Sequence, residues 1–305
     1  VHRNAVRTGC LDRGYCDRGD NGGVPVWKDP MRLSGQCNAL SFDSDVARGP
    51  YPPQGFVSIA EGALGNGDCF GLYWPLGREG DAPFVCEMFH DEWRMELRHS
   101  SVQVFSHWLV LNEGEYGEHE VEDPGSQTEQ LEQARAQVLA GQVEQAIELL
   151  RAACTAFPEL QQGWALLASQ YMRQGQQDAA IDAARSAVLA NWAFGIPEPG
   201  VLRILRAAPA STDPVIALVQ RMGFAFGGAK TNPDYALMQA CIDECWAAGD
   251  ALTALRLSQN RCYVLAGETV SFQEREGFTL SRWQADFAGQ CQAVLNDDRR
   301  CFGQD

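Results

Sequence analysis

The sequence predicts an α+β N-terminal domain followed by an all-α helical-repeat domain. Three observations carry that expectation. Composition breaks sharply near residues 112–128, a 34-residue self-match lies beyond the break, and short β-prone runs punctuated by turn residues lie before it. The expected division is 1–111 for the α+β domain, 112–126 for an acidic linker and 127–305 for the repeat domain. At 305 residues the chain is long enough for each part to bury a core of its own.

In the N-terminal part, residues 1–55 are rich in Gly, Asp, Arg and Cys, with Cys10, Cys16 and Cys37 among them, and an Asn21-Gly22-Gly23 step. Phe56 to Glu61 then reads as a strand, and Asn66-Gly67-Asp68 as a hairpin turn. Cys69 to Trp74 is a second strand, residues 78–82 a charged turn, and Pro83 to Met88 a third strand. His90-Asp91-Glu92-Trp93 follows as a polar step, and Ser100 to Leu109 reads as a short helix begun by a serine cap.

That order resembles the SUKH superfamily, the cell-wall-assembly-regulator-like and polymorphic-toxin immunity proteins. The resemblance rests on Phe56–Ala60, Gly65–Phe70, Pro83–Met88, His90–Asp91 and Ser100–Phe105, about 55 of the 305 residues. It implies a curved antiparallel sheet with flanking helices, and a face that binds a toxin domain and blocks it. Basic nuclease-like toxins are common targets in that family. The pair of N-terminal helices usual there is not evident in residues 1–55.

Between the two parts runs Asn112 to Gly125, with carboxylates at Glu113, Glu115, Glu118, Glu120, Glu122 and Asp123. Such a stretch repels itself and has little to bury, so it reads as an exposed linker or strap. It serves either as a solvated connector or as a partner-docking patch.

Beyond it, Ala134, Gly141, Ala146 and Ala153 match Ala168, Gly175, Ala180 and Ala187 at an offset of 34 residues. The small residues let paired helices approach closely, and each glycine falls between two helices, where a positive φ costs it least. The second copy carries Trp164, Leu167, Ala168 and Tyr171, and Pro158 closes the first copy, while Trp192 stands at the matching place in the second. These positions resemble the tetratricopeptide repeat, which has this period. Val201–Ala207 and Pro214–Met222 read as two shorter helices. Leu237–Ala248 and Ala251–Leu265, around Gly249-Asp250, read as a further hairpin. Leu280, Trp283, Phe287, Cys291 and Leu295 give Thr279–Leu295 the three- and four-residue steps of a closing amphipathic helix, and the tail from Asn296 is expected to fray.

Net charge is −16, with 10 Lys/Arg against 20 Asp/Glu in residues 1–124 and 14 against 20 in residues 125–305, so acidity concentrates in the first part. Such a surface disfavours nucleic acid and anionic membranes and favours a basic protein; keeping the chain soluble is the plainer role for it. No run approaches the length of a membrane helix and no charged-then-apolar leader opens the chain, so a cytoplasmic setting is expected. Eleven cysteines, an odd number without a CxxC pair, fit neither a disulfide framework nor a zinc knuckle. Cys154, Cys241, Cys262 and Cys291 read as small buried hydrophobes, and the Cys241/Cys245 pair lacks further ligands for a metal.

No catalytic, cofactor or metal constellation emerges: there is no GxGxxG, GxxxxGK[ST] or GxSxG, and His90, Asp91 and Glu92 are adjacent rather than spaced as site residues. The expectation is therefore a non-enzymatic immunity protein without cofactor that neutralises a basic toxin or effector. The alternative is a scaffold or adaptor that binds peptides through its repeats. The candidate contacts are Asp68, Glu79, Asp81, Asp91 and Glu92 on the sheet, Glu113 to Asp123 on the strap, and the concave face of the repeats.

Overall fold

The computed structural model describes residues 26–27, 49–61, 67–114, 117, 119–227 and 230–295. Expectations for residues 1–25 and 28–48, with Cys10, Cys16 and Cys37, for Gly65 and Asn66 of the first turn and for the tail from Asn296 fall outside the described residues. The strands are β1 (Val26–Trp27), β2 (Phe56–Ser58), β3 (Ala60–Glu61), β4 (Cys69–Tyr73), β5 (Phe84–Phe89) and β6 (Arg94–His99). Helix α1 (Val102–Leu111) follows, then α2 (Gln127–Leu139), α3 (Val143–Ala156), α4 (Gln161–Arg173) and α5 (Gln177–Leu189). A one-turn 3-10 helix at Trp192–Phe194 leads to α6 (Pro199–Ala207), α7 (Pro214–Arg221), α8 (Asp234–Ala247), α9 (Ala251–Ala266), α10 (Val270–Arg275) and α11 (Leu280–Val294). An antiparallel sheet with a helix thus precedes a wholly helical region.

The sheet runs β2-β4-β5-β6 and every pair is antiparallel; β1 pairs separately with β3. The run expected as one strand from Phe56 to Glu61 breaks at Ile59, whose side chain turns wholly into the core while its N–H donates to the Phe70 carbonyl at 3.1 Å. Strand β6 was not expected, although Arg94-Met95-Glu96-Leu97-Arg98 alternates polar and apolar residues with the period of a half-buried strand. Ser101 caps α1 through the Val104 N–H, as the serine signal predicts.

Both faces of the sheet are covered. Phe70, Leu72 and Val85 pack against Val102, Phe105 and Trp108 of α1. On the opposite face Tyr73, Cys86, Met88 and Met95 pack against Phe157 and Ala193 of the helical region. All five residues of β4 are therefore buried, which is why it reads as a continuous apolar run rather than an alternation. Gly71 is required here, because a Cβ at that position would lie 2.2 Å from the Phe56 ring.

In the helical region, α2 and α4 begin at Gln127 and Gln161, and α3 and α5 at Val143 and Gln177, so the first two hairpins recur at the 34-residue offset of the self-match. Ala134, Ala146, Ala168 and Ala180 are wholly buried where paired helices meet. The turns carry Gly141 at φ +77° and Gly175 at φ +71°, and the α8–α9 turn carries Gly249 at +78°. The two shorter helices each open on proline, at Pro199 and Pro214, where a missing N–H costs nothing. Thr279 and Leu295 flank α11 as its end residues. Among the described residues no helix is long and apolar enough to cross a membrane.

Candidate functional site

Strand register sorts the candidate carboxylates into two groups at opposite ends of the sheet. Cys69 pairs with Met88 and Phe89 with Arg94, so Asp68, Asp91 and Glu92 gather at the end formed by the β5–β6 turn. Tyr73 pairs with Phe84 and Val85 with His99, which sends Glu79, Asp81 and the start of α1 to the other end.

The β5–β6 turn is tied down on every side. Asp68 accepts the His90 N–H through Oδ1 at 2.8 Å. The Tyr51 hydroxyl lies 2.7 and 2.9 Å from the Phe89 and Arg94 carbonyls and shares its one proton between them, bridging the two ends of the turn. Its ring stacks on Trp93 at 5.4 Å. From α9 the Tyr263 hydroxyl donates to the Trp93 carbonyl. These contacts hold Trp93 at φ +51°, a conformation that costs a bulky residue about 1–3 kcal/mol and persists only when its surroundings impose it. The result is a rigid tip whose outer side chains are Asp91 (84% exposed) and Glu92 (62% exposed).

Beside the tip, Arg94 lies over the Phe89 ring at 4.2 Å and pairs with Glu92 and Glu96. Arg98 reaches Glu87 at 3.2 Å and Glu96 at 3.6 Å. Burial pushes the Glu87 carboxyl above the usual carboxylate range, with Arg98 opposing the shift. Counting Asp68, Glu87, Asp91, Glu92 and Glu96 against Arg94 and Arg98, five acids face two bases here. Arg94, Glu96 and Arg98 are the polar positions of the β6 alternation, and Glu87 joins them only through the β5–β6 pairing, which places it opposite Glu96.

At the far end two expectations are corrected. Glu79 is buried, and its Oε1 accepts the Gly77 N–H at 2.7 Å, so it closes its own turn. Asp123 is buried too: it accepts both the N–H (2.7 Å) and the hydroxyl of Ser100, just ahead of α1. Asp81 stays half exposed and pairs with Arg78.

The stretch expected as an exposed linker or strap is held at both ends. Asn112 accepts the His119 N–H at 3.1 Å and donates to the His119 and Trp108 carbonyls. Val121 packs on the core between sheet and α1. The described residues of the strap are thus pinned at Asn112, beside the end of α1, and at Asp123, beside its start. Glu113, Glu120 and Glu122 lie exposed along it. Glu115 and Glu118 fall outside the described residues.

Cys69, Cys86, Cys154, Cys241, Cys245, Cys262 and Cys291 are buried thiols. Among the described residues no group of three or more His, Cys, Asp or Glu side chains is placed to hold a metal.

Two family models match the chain, one described as the YfbP N-terminal domain over residues 42–118 and one as the YfbP C-terminal domain over residues 225–301. The Uncharacterized protein YfbP of Escherichia coli (strain K12) is 39% identical over 281 residues, spanning 89% of this chain and all of that protein. The chain belongs to the YfbP family. No solved structure matches it. The N-terminal YfbP match takes in the four-stranded sheet, α1, the acidic tip and the first part of the strap. The C-terminal YfbP match takes in α8 to α11, including Tyr263, which clamps the tip. Both ends of that clamp therefore lie within matched YfbP domains, while the two 34-residue hairpins lie between them.

Proposed function

We propose that this protein is a non-enzymatic inhibitor of the immunity type, which docks on a basic toxin or effector protein and covers its working surface. The observation that carries the reading is the rigid acidic tip: Asp91 and Glu92 project from a turn that Tyr51, Asp68 and Tyr263 hold in one conformation. A turn fixed before encounter loses little entropy on binding, and the carboxylates it carries speed association with a cationic surface. A four-stranded antiparallel sheet followed by α1 supports the SUKH resemblance. Buried cysteines kept as thiols support a reducing, cytoplasmic setting.

The recurrence of hairpins at 34 residues favours a second reading, an adaptor whose tetratricopeptide-type helices hold a peptide tail. The two readings separate in one experiment. The tagged protein is isolated from its own cells with its partner, and association is then timed with the wild type and with the Asp91→Arg/Glu92→Arg variant. The immunity reading expects one stoichiometric basic partner and an on-rate lowered about tenfold or more at low salt. Several substoichiometric partners, or rates indifferent to the charge reversal, would transfer the function to the helices.

A further inference from the structure

Helix α1 meets the sheet along one side only. Val102, Phe105 and Trp108 are buried against it, while Gln103, His107, Val110 and Leu111 are exposed. Their spacing sets those four on a single outer stripe of the helix. The first two are polar and suit water. The last two are not: Val110 is 78% exposed and Leu111 45%. A lone exposed apolar side chain needs no explanation, but the run Trp108-Leu109-Val110-Leu111 carries apolar residues from the buried side of the last turn round to the outer one.

The ground beside that turn is acidic. Just past it stands Glu113, exposed and at φ +56°, followed by Gly114 at φ +79°. The Gly114 N–H donates to the Leu109 carbonyl at 2.8 Å and closes the helix. Glycine is the usual occupant of a left-handed helix end, and the carbonyl end of a helix favours a base over an acid. The last turn of α1 nevertheless holds no base. Asn112 brings the strap alongside through the N–H and carbonyl of His119, both at 3.1 Å. Val121 then packs with Leu109, and its neighbours Glu120 and Glu122 are exposed. Among the described residues, none of Glu113, Glu120 and Glu122 takes part in an ion pair.

We propose that this end of α1 is a docking face for a cationic amphipathic helix of a partner protein. The apolar side of that helix covers Val110 and Leu111, and its basic side chains meet Glu113, Glu120 and Glu122. Charge complementarity selects the occupant. A second copy of this chain, at net charge −16, would set acid against acid, and an anionic bilayer would be repelled in the same way. A helix suits the stripe because helices seat their ridges in each other's grooves, with anchors at three- and four-residue steps.

The probe is a fluorescein-labelled synthetic helix about 18 residues long, with leucine along one side and lysine along the other. Its control carries serine for every leucine at equal charge. Anisotropy titrations of the full chain are expected to show the leucine peptide bound about tenfold tighter than the control, and Val110→Ser/Leu111→Ser should remove that preference. Glu113→Gly should weaken binding of the leucine peptide about threefold while raising the urea midpoint, since glycine suits the positive φ and takes an acid from the helix end. A merely structural glutamate would not lose binding as stability rises. The ratio of two equally charged peptides is blind to general attraction by the acidic tip, whose own test is the partner's on-rate, so the two readings fail separately. A leucine preference that survives Val110→Ser/Leu111→Ser, or binding indifferent to Glu113→Gly, overturns the proposal. So does a wild-type dimer in sedimentation that the double serine variant abolishes, which would give the face to a second copy.

Discussion

The helical region and the sheet solve the same burial problem in different ways. Each helix from α2 to α5 packs mainly on its neighbours in sequence, through small residues set 34 positions apart, so its core is assembled from local contacts. The sheet satisfies only one face with its own helix α1. Its other face is completed by Phe157, Ala193, Phe194 and Tyr263, all from the helical region. Three side chains of that region also donate to sheet-side carbonyls: Arg256 to Leu76, Tyr263 to Trp93 and Gln284 to Gly49. The helices can therefore stand without the sheet more easily than the sheet without the helices. A chain that divides clearly in composition need not divide in energy.

The largest expected effect breaks that dependence at its centre. Phe157→Ala should cost about 3–5 kcal/mol, since the ring fills the wall shared by Tyr73, Phe84 and Phe194. Urea unfolding should then show sheet and helices separating into two transitions, with the sheet lost first. A single unchanged transition would mean that the sheet carries its own stability.

Next comes the strap, which belongs to the sheet alone. Asp123→Ala removes two hydrogen bonds from Ser100 and should cost about 1–3 kcal/mol, with faster proteolysis between residues 112 and 125 and the helical region untouched. Gly175→Ala is the matching lesion in the helices. There is open space around its Cβ position, so only the φ of +71° is penalised, at about 1–2 kcal/mol, read as a lower urea midpoint with unaltered slope.

The smallest effect is a pH response at His99. Burial against Phe105 and Trp108 pushes the His99 imidazole down to about 4, with Asp123 opposing the shift and Arg98 adding to it. For a histidine with a lowered pKa, the stabilisation is complete above the unfolded value near 6.5 and is lost as pH falls toward 4. The ring is only half buried, so solvent screens much of the effect. His99→Gln should flatten stability between those limits, and a wild-type curve already flat there would remove the α1 face from the account.

Much of the fold was legible in the chain because it is written in local periodicity. The 34-residue match placed α2 to α5, and the Gly249 turn placed α8 and α9. The three- and four-residue steps placed α11 to within a residue of its ends. Strand β6 was legible too but went unread, its charges masking an alternation that the register later explains. The exposed acids of the candidate site were visible as charge, while their grouping was not. Asp68 and Asp91 are 23 positions apart and meet only because β4 and β5 pair antiparallel.

The sequence by itself determined the class of each half, the helical period and the excess of acid, since these depend on neighbours a few residues away. Tertiary structure alone decided which carboxylates face solvent and which are consumed. Glu79 and Asp123 carry the same charge as Asp91, yet backbone donors brought close by folding bind the first two and leave the third exposed. It also decided that Glu159, an ordinary acid in a turn between helices, is buried against Tyr73, 86 positions away. Burial and hydrogen bonding act over a few ångströms of space, and only the folded chain sets which residues share them.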